Sequence, residues 1–151
     1  MGQCLCGHIR FTASQAPRVH YCHCTMCRRA SGGAFAILAW LPQQSVVWSA
    51  SPALRRSSPI AQRGFCAECG TPLTLQYDDS SDIAVLLGAF DRAQDLAPRY
   101  HYGVEGRLPW VDIGHGLPEQ RTEEQLHQSA RQGEGLHLFP NLQLLTTGGA
   151  N

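Results

Sequence analysis

Phe65-Cys66-Ala67-Glu68-Cys69-Gly70-Thr71 is the stretch whose reading decides the fold. A Cys-x-x-Cys turn carries two sulfurs round one knuckle. Gly70 follows the second sulfur, where so tight a turn calls for positive φ. One knuckle supplies two thiolates, and Zn²⁺ takes four ligands in a tetrahedron. Moving outward to the N-terminus, Cys4-Leu5-Cys6-Gly7 is the natural complement. Side chains alternate along an extended chain, so Cys4 and Cys6 put both sulfurs on one face. Cys4, Cys6, Cys66 and Cys69 are therefore predicted to form a closed structural zinc site that staples the N-terminus to mid-chain.

The chain holds seven cysteines, so three remain, and they fall within Cys22-His23-Cys24-Thr25-Met26-Cys27. Three sulfurs leave one tetrahedral position open, which is the signature of a catalytic zinc. Cys22, Cys24 and Cys27 are the predicted ligands, giving two Zn²⁺ per chain. Two alternatives stand beside this reading. His23 can supply a fourth ligand and close the site, although a residue between two ligating cysteines on a strand points the wrong way. A redox disulfide within Cys24-Thr25-Met26-Cys27 is the other, but no βαβ pattern surrounds it.

Composition bounds the rest. The 151 residues are 43% hydrophobic and 16% charged, enough for one domain with a core of its own. Twelve positive and twelve negative side chains cancel, and every one of the twelve cations is an arginine. Neutral charge argues against nucleic acid or an anionic membrane as partner. No apolar run approaches the ~20 residues of a bilayer span. Without lysine, no side-chain amine can form a Schiff base. The first cysteine, at position 4, leaves no room for a signal peptide, so the expected location is cytoplasmic, and an odd cysteine count disfavours a disulfide framework. Met1-Gly2 is an acylation start, but Cys6 stands where myristoylation wants Ser or Thr.

Short apolar runs predict a mainly β chain. Candidate strands are His8 to Ala13, Phe35 to Trp40, Ser45 to Ser49, Leu73 to Tyr77 and Asp82 to Phe90. Turn formers separate them, such as Ser31-Gly32-Gly33, Leu41-Pro42 and Asp78 to Ser81. No long amphipathic helix is read before residue 118. Pro118 to Gly133 is a candidate helix, with Thr122 and Gln125 at capping-box spacing. Residues 119–151 are read as a tail of the domain formed by 1–118, frayed at its end.

These residues resemble the glutathione-dependent formaldehyde-activating enzyme family, which also contains centromere protein V. The resemblance rests on Cys4-Leu5-Cys6-Gly7, on Cys22 through Gly32 with Phe35, and on Arg63 through Leu73. A later block runs from Pro98 and His101 through Leu108-Pro109-Trp110 to Gly116-Leu117-Pro118. It implies a β-tent of antiparallel strands and the same division of zinc ligands. It also implies addition of glutathione to formaldehyde, formally a carbon–sulfur lyase reaction. One departure is Gly106-Arg107-Leu108-Pro109-Trp110, where the family carries Ser-Lys-Ala-Pro-Trp. Arg107 keeps the charge with a different donor geometry.

The open site suits a thiol. Zinc deprotonates a coordinated thiol, and an aldehyde beside it then needs mainly proximity. Three thiolates make the metal a weak Lewis acid, which favours thiol handling over water activation. Arg28 and Arg29 are candidates to hold the carboxylates of a thiol such as glutathione. Gly32 and Gly33 can bring backbone N–H groups to an anion, or simply turn the chain. His23 is a candidate proton shuttle, or packs behind the metal loop. Phe35, Trp40 and Trp48 read as core, and Asp78, Asp79 and Asp82 as a solvated loop. His101 and Trp110 line the pocket only on the strength of the resemblance. The competing function is a zinc-stapled binding or chaperone module, which needs no open metal position.

Overall fold

The structure is a computed structural model that describes residues 1–122. In chain order the strands are β1 (Gly2–Gln3), β2 (Arg10–Ala13), β3 (Arg18–Cys22), β4 (Ala36–Pro42), β5 (Val46–Trp48) and β6 (Ala53–Ser58). They continue with β7 (Ala61–Phe65), β8 (Pro72–Tyr77), β9 (Asp82–Leu86), β10 (His101–Tyr102) and β11 (Glu119–Gln120). One short helix, α1 (Thr25–Ser31), interrupts them between β3 and β4. No described helix is long and apolar enough to cross a membrane.

The strands form two sheets. A small one runs β1-β2-β5, and a large one runs β11-β10-β3-β4-β9-β8-β7-β6. The large sheet is antiparallel from β3 to β6, whereas β10 runs parallel to both β3 and β11. Its register sorts side chains into two faces, because cross-strand partners share a face. One row reads Val19, Ala39, Val85, Thr74, Gly64, and the neighbouring row reads Trp40, Ala84, Leu75, Arg63, Arg55.

The first face packs against the small sheet. Ile9, Phe11, Val46, Leu41, Leu73, Ile83 and Val85 bury a common core there, and Cys4 and Cys66 belong to it. Phe11 anchors it, with ring centroids 5.0 Å from Trp48 and 5.1 Å from Phe90. The second face carries Cys22, Cys27, Ala36, Leu38, Ala61, Leu75 and Ala84, with Trp40, Tyr77, Leu86 and Tyr102 partly buried around them. The continuous apolar run of β4 thus serves both faces, Leu38 on one and Leu41 on the other.

The five predicted strands are all present with shifted ends: β2, β5 and β9 are shorter than predicted, β4 runs on to Pro42 and β8 begins at Pro72. Asp82 to Phe90 stops as a strand at Leu86 and continues as a 3₁₀ turn over Leu87–Ala89. The helix predicted from Pro118 opens instead with β11, because the backbone of Glu119–Gln120 pairs with β10. The remainder of that helix and the frayed end lie outside the described residues. Helix α1 is unforeseen. It spans two turns, with the Cys24 sulfur accepting from the Cys27 N–H at its start, and ends at Gly32 with φ 71°.

Candidate metal centres and the open face

The four predicted staple residues come together. The sulfurs of Cys4, Cys6, Cys66 and Cys69 lie within 4.8 Å of one another. Cys4 and Cys6 are 3.5 Å apart and Cys6 and Cys66 are 3.9 Å apart. A zinc tetrahedron with ~2.3 Å bonds has sulfur–sulfur edges of roughly 3.8 Å, whereas a disulfide would be about 2 Å. The donor set and its spacing therefore fit Zn²⁺ without rearrangement. The loops are built for it. Gly7 and Gly70 both adopt φ +74°, as the knuckle geometry predicts. The Ile9 N–H donates to the Cys4 sulfur at 3.3 Å. Thr71 ties the two loops, its hydroxyl accepting from the Leu5 N–H at 3.0 Å and lying 3.0 Å from the Cys69 sulfur. That contact, with the Thr71 backbone N–H, pulls the Cys69 thiol down to about 5.

Cys22, Cys24 and Cys27 form the second group, again within 4.8 Å. The Cys22 and Cys24 sulfurs are 3.5 Å apart, the same tetrahedral edge. Cys22 ends β3, Cys24 caps α1 and Cys27 lies in its first turn, so three elements of local structure aim the sulfurs. No fourth metal-binding side chain joins the group among the described residues. Contacts from Cys22 and Cys24, and then the charge of Arg63, pull the Cys27 thiol down to about 2. The Arg63 Nη2 donates to the Cys27 sulfur at 3.3 Å.

His23 does not face the sulfurs. It is wholly buried, with its Nε2 2.9 Å from the Nδ1 of His101. The His101 Nε2 faces the Gly114 carbonyl at 3.3 Å, which can only accept, so that nitrogen donates. In the tautomer that satisfies both contacts, the His101 Nδ1 accepts and His23 donates from Nε2. The His23 Nδ1 is left buried without a partner. Burial, and then the nearby Arg107, depress His23 to about 4, so the ring is neutral at pH 7. The loop after β10 presses on this ring's backbone: a Cβ at Gly106 would lie 2.8 Å from the His23 carbonyl oxygen. His101 stacks on Tyr21 at 4.9 Å and belongs to this inner layer.

The other predicted site residues separate. Arg28 is half-buried and its Nη2 donates to the Thr25 hydroxyl at 3.3 Å, while its Nε is buried without a partner. Arg29 and Gly33 are exposed. The Gly32 N–H is spent on the Arg28 carbonyl as the helix cap, so it is not free to meet an anion. Trp110 is 71% exposed. Trp48 is core, but Trp40 stacks on Tyr77 at 6.0 Å beside the three sulfurs, and so lines the open face. Asp78 and Asp82 pair with Arg56 and Arg18 on the surface, as a solvated loop should.

Several residues of this face escaped the sequence reading. Tyr77 and Tyr102 flank the sulfurs, and burial, followed by neighbouring ionisable groups, raises both phenols, Tyr77 to about 12. Both stay protonated at neutral pH. His20 shares the face with Cys22 and is depressed to about 4 by burial. Arg63 was visible as part of the Arg63-Gly64-Phe65 block, but only strand register shows which way it points.

An uncharacterized lyase of Schizosaccharomyces pombe is 32% identical over 82 residues, which are 54% of this chain and 60% of that protein. The crystal structure of a Rhodobacter sphaeroides protein superposes with a TM-score of 0.51 at 16% identity, covering 79% of this chain and 97% of the other. That likeness is one of fold. Residues 1–105, which contain both cysteine groups, match the family described as glutathione-dependent formaldehyde-activating enzyme. With seven cysteines divided four and three on the two faces of one sheet, this chain belongs to the glutathione-dependent formaldehyde-activating enzyme family.

Proposed function

We propose that the three-cysteine site is catalytic and joins a small thiol, such as glutathione, to the carbonyl carbon of a small aldehyde, or reverses that step. The four-cysteine site, in this reading, is a structural zinc staple of a cytoplasmic β-tent. The supporting observation is the ligand count: three convergent sulfurs, with His23 turned away to His101. A zinc ion held by Cys22, Cys24 and Cys27 would take a thiol in its remaining position and lower that thiol's pKa. The chain's own residues do the rest. Arg63 offsets negative charge at Cys27. Trp40, Tyr77 and Tyr102 give the face apolar walls that limit water. Tyr77 and Tyr102 keep their protons and present O–H donors to a developing alkoxide. In the forward direction sulfur adds to the carbonyl carbon, and the thiol proton ends on the former carbonyl oxygen.

The test uses the cobalt-substituted protein. Glutathione should change the sulfur-to-metal charge-transfer bands, and S-methylglutathione, lacking an ionisable thiol, should bind at least tenfold more weakly, about 1.4 kcal/mol. Formaldehyde consumption should rise above the spontaneous rate only with glutathione and loaded protein together. If no thiol perturbs the spectrum of a fully loaded protein, the catalytic reading fails and a binding module is favoured.

A further inference from the structure

One turn presses on the backbone of the three-sulfur loop. β10 pairs with the end of β3, placing Tyr102 opposite Cys22, and the His23 N–H donates to the Tyr102 carbonyl at 2.9 Å. Gly103, at φ +66°, opens a 3₁₀ turn over Val104–Gly106. A Cβ at Gly103 would lie 3.2 Å from the Cys24 nitrogen, and one at Gly106 would lie 2.8 Å from the His23 carbonyl oxygen. Residues 102–106 thus meet Cys22, His23 and Cys24 in succession. A two-residue strand and a single 3₁₀ turn do little to hold themselves in place. The ties come from further along the chain. β11 pairs with β10, the His101 N–H donates to the Pro118 carbonyl at 2.8 Å, and the Thr122 N–H and hydroxyl both donate to the Glu105 carboxylate. Arg107 leaves the turn, and its Nη1 meets a Glu119 carboxylate oxygen at 2.7 Å. Its side chain is only 26% exposed, and its Nε and Nη2 are buried without a partner. Glu119 therefore offsets a largely buried charge, which sets the pair apart from an ordinary surface ion pair. The four-cysteine group is tied instead to Ile9 and Thr71.

We infer that Arg107 and Glu119 are positioning residues for the three-cysteine group: their ion pair clamps the 103–106 turn against the backbone of His23 and Cys24, and so holds the sulfurs at metal-binding distance. This rests on the metal reading of that group and not on the thiol chemistry proposed for it. The family match ends at residue 105, so both members of the pair lie beyond it. The action is mechanical. Without the carboxylate, the guanidinium loses its one counter-charge and turns toward water, and the turn it leaves behind relaxes away from Cys24. Groups that orient metal ligands from outside the coordination sphere commonly change metal affinity 10–100-fold when removed.

The experiment follows zinc on the full chain in two ways: withdrawal by a chelator, and labelling of the zinc-loaded protein with iodoacetamide, the modified cysteines being identified by mass spectrometry. In Glu119→Gln and Arg107→Gln, one zinc of two should leave at about tenfold lower chelator concentration, and Cys22, Cys24 and Cys27 should label about tenfold faster. Labelling of Cys4, Cys6, Cys66 and Cys69 should not change, which a general loss of stability would not spare. Arg107→Lys, which keeps a cation for Glu119, should recover most of the loss. Gly106→Ala, which drives a methyl group into the His23 carbonyl, should reproduce it with the ion pair intact. Arg92→Gln, which cuts the surface pair with Asp95, should do nothing. Equal weakening of both cysteine groups, or unchanged zinc retention in Glu119→Gln and Arg107→Gln, would overturn the inference. So would an unaltered protein that holds one zinc and labels freely at Cys22, Cys24 and Cys27. No thiol substrate enters the measurement, so its result is separate from that of the proposed activity.

Discussion

The two cysteine groups share a side chain and a tetrahedral sulfur spacing, and differ in where the chain collects its ligands. Cys6 and Cys66 are separated by 60 positions, and their group lies against the core between the two sheets. Cys22, Cys24 and Cys27 lie within six consecutive residues, on the other face of the large sheet. A metal in the first group cross-links distant segments and so contributes directly to folding. A metal in the second would close only a short loop of six residues. Ligand number points the same way: four donors complete a coordination sphere, while three leave it chemically available.

The largest effect should come from breaking the staple. Cys66→Ala removes a wholly buried ligand and leaves three thiols without the fourth. The loss should approach the ~5–15 kcal/mol that stabilises an ordinary domain, so the variant should show no cooperative melt and little soluble yield. Cys24→Ala should behave differently. Its chain should melt within a few degrees of the unaltered protein, bind one zinc instead of two by elemental analysis, and give no spectral response to thiol. Equal folding and equal thiol response in the two variants would erase the distinction between the groups.

A finer test asks how firmly the three-sulfur loop is held from behind. His101→Phe preserves the ring stack on Tyr21 but removes the acceptor of the His23 N–H. A buried donor left unpaired costs about 1–3 kcal/mol. The melting temperature should fall by several degrees, and the second zinc should be lost to a chelator sooner than in the unaltered protein. An unchanged melt with unchanged chelation would mean that the histidine pair carries no load.

Both cysteine groups were legible in the sequence because spacing encodes them. Cys-x-x-Cys and Cys-x-Cys each determine a local geometry before any tertiary contact exists. The five apolar strands were legible for the same reason, since β4 and β9 carry their hydrophobic pattern openly. The edge was not. Strand β6 reads Ala-Leu-Arg-Arg-Ser-Ser and is exposed over most of its length, so it has no alternation to detect. β10 and β11 are two-residue pairings made by neighbours rather than by propensity. Helix α1 has only two turns and a sulfur for a cap, outside the usual cap signals. That His23 points away from the sulfurs was legible in the strand alternation, but its partner His101 was not, because it lies 78 positions away. Arg63 and Arg55 were missed as a pair because only register brings them opposite.

The local origin of the three-sulfur loop also bears on the order of assembly. Cys22 through Cys27 form a chelating hexapeptide in the unfolded chain, at a high effective concentration set by a very short loop. The staple exists only after residues 4 and 66 have met, a non-local event of the kind that slows β-rich folding. Zinc encountered early in synthesis would therefore meet the three-cysteine group before the four-cysteine group has assembled. Loading order and donor number would then run in opposite directions, the first metal to arrive meeting three sulfurs and the later one four.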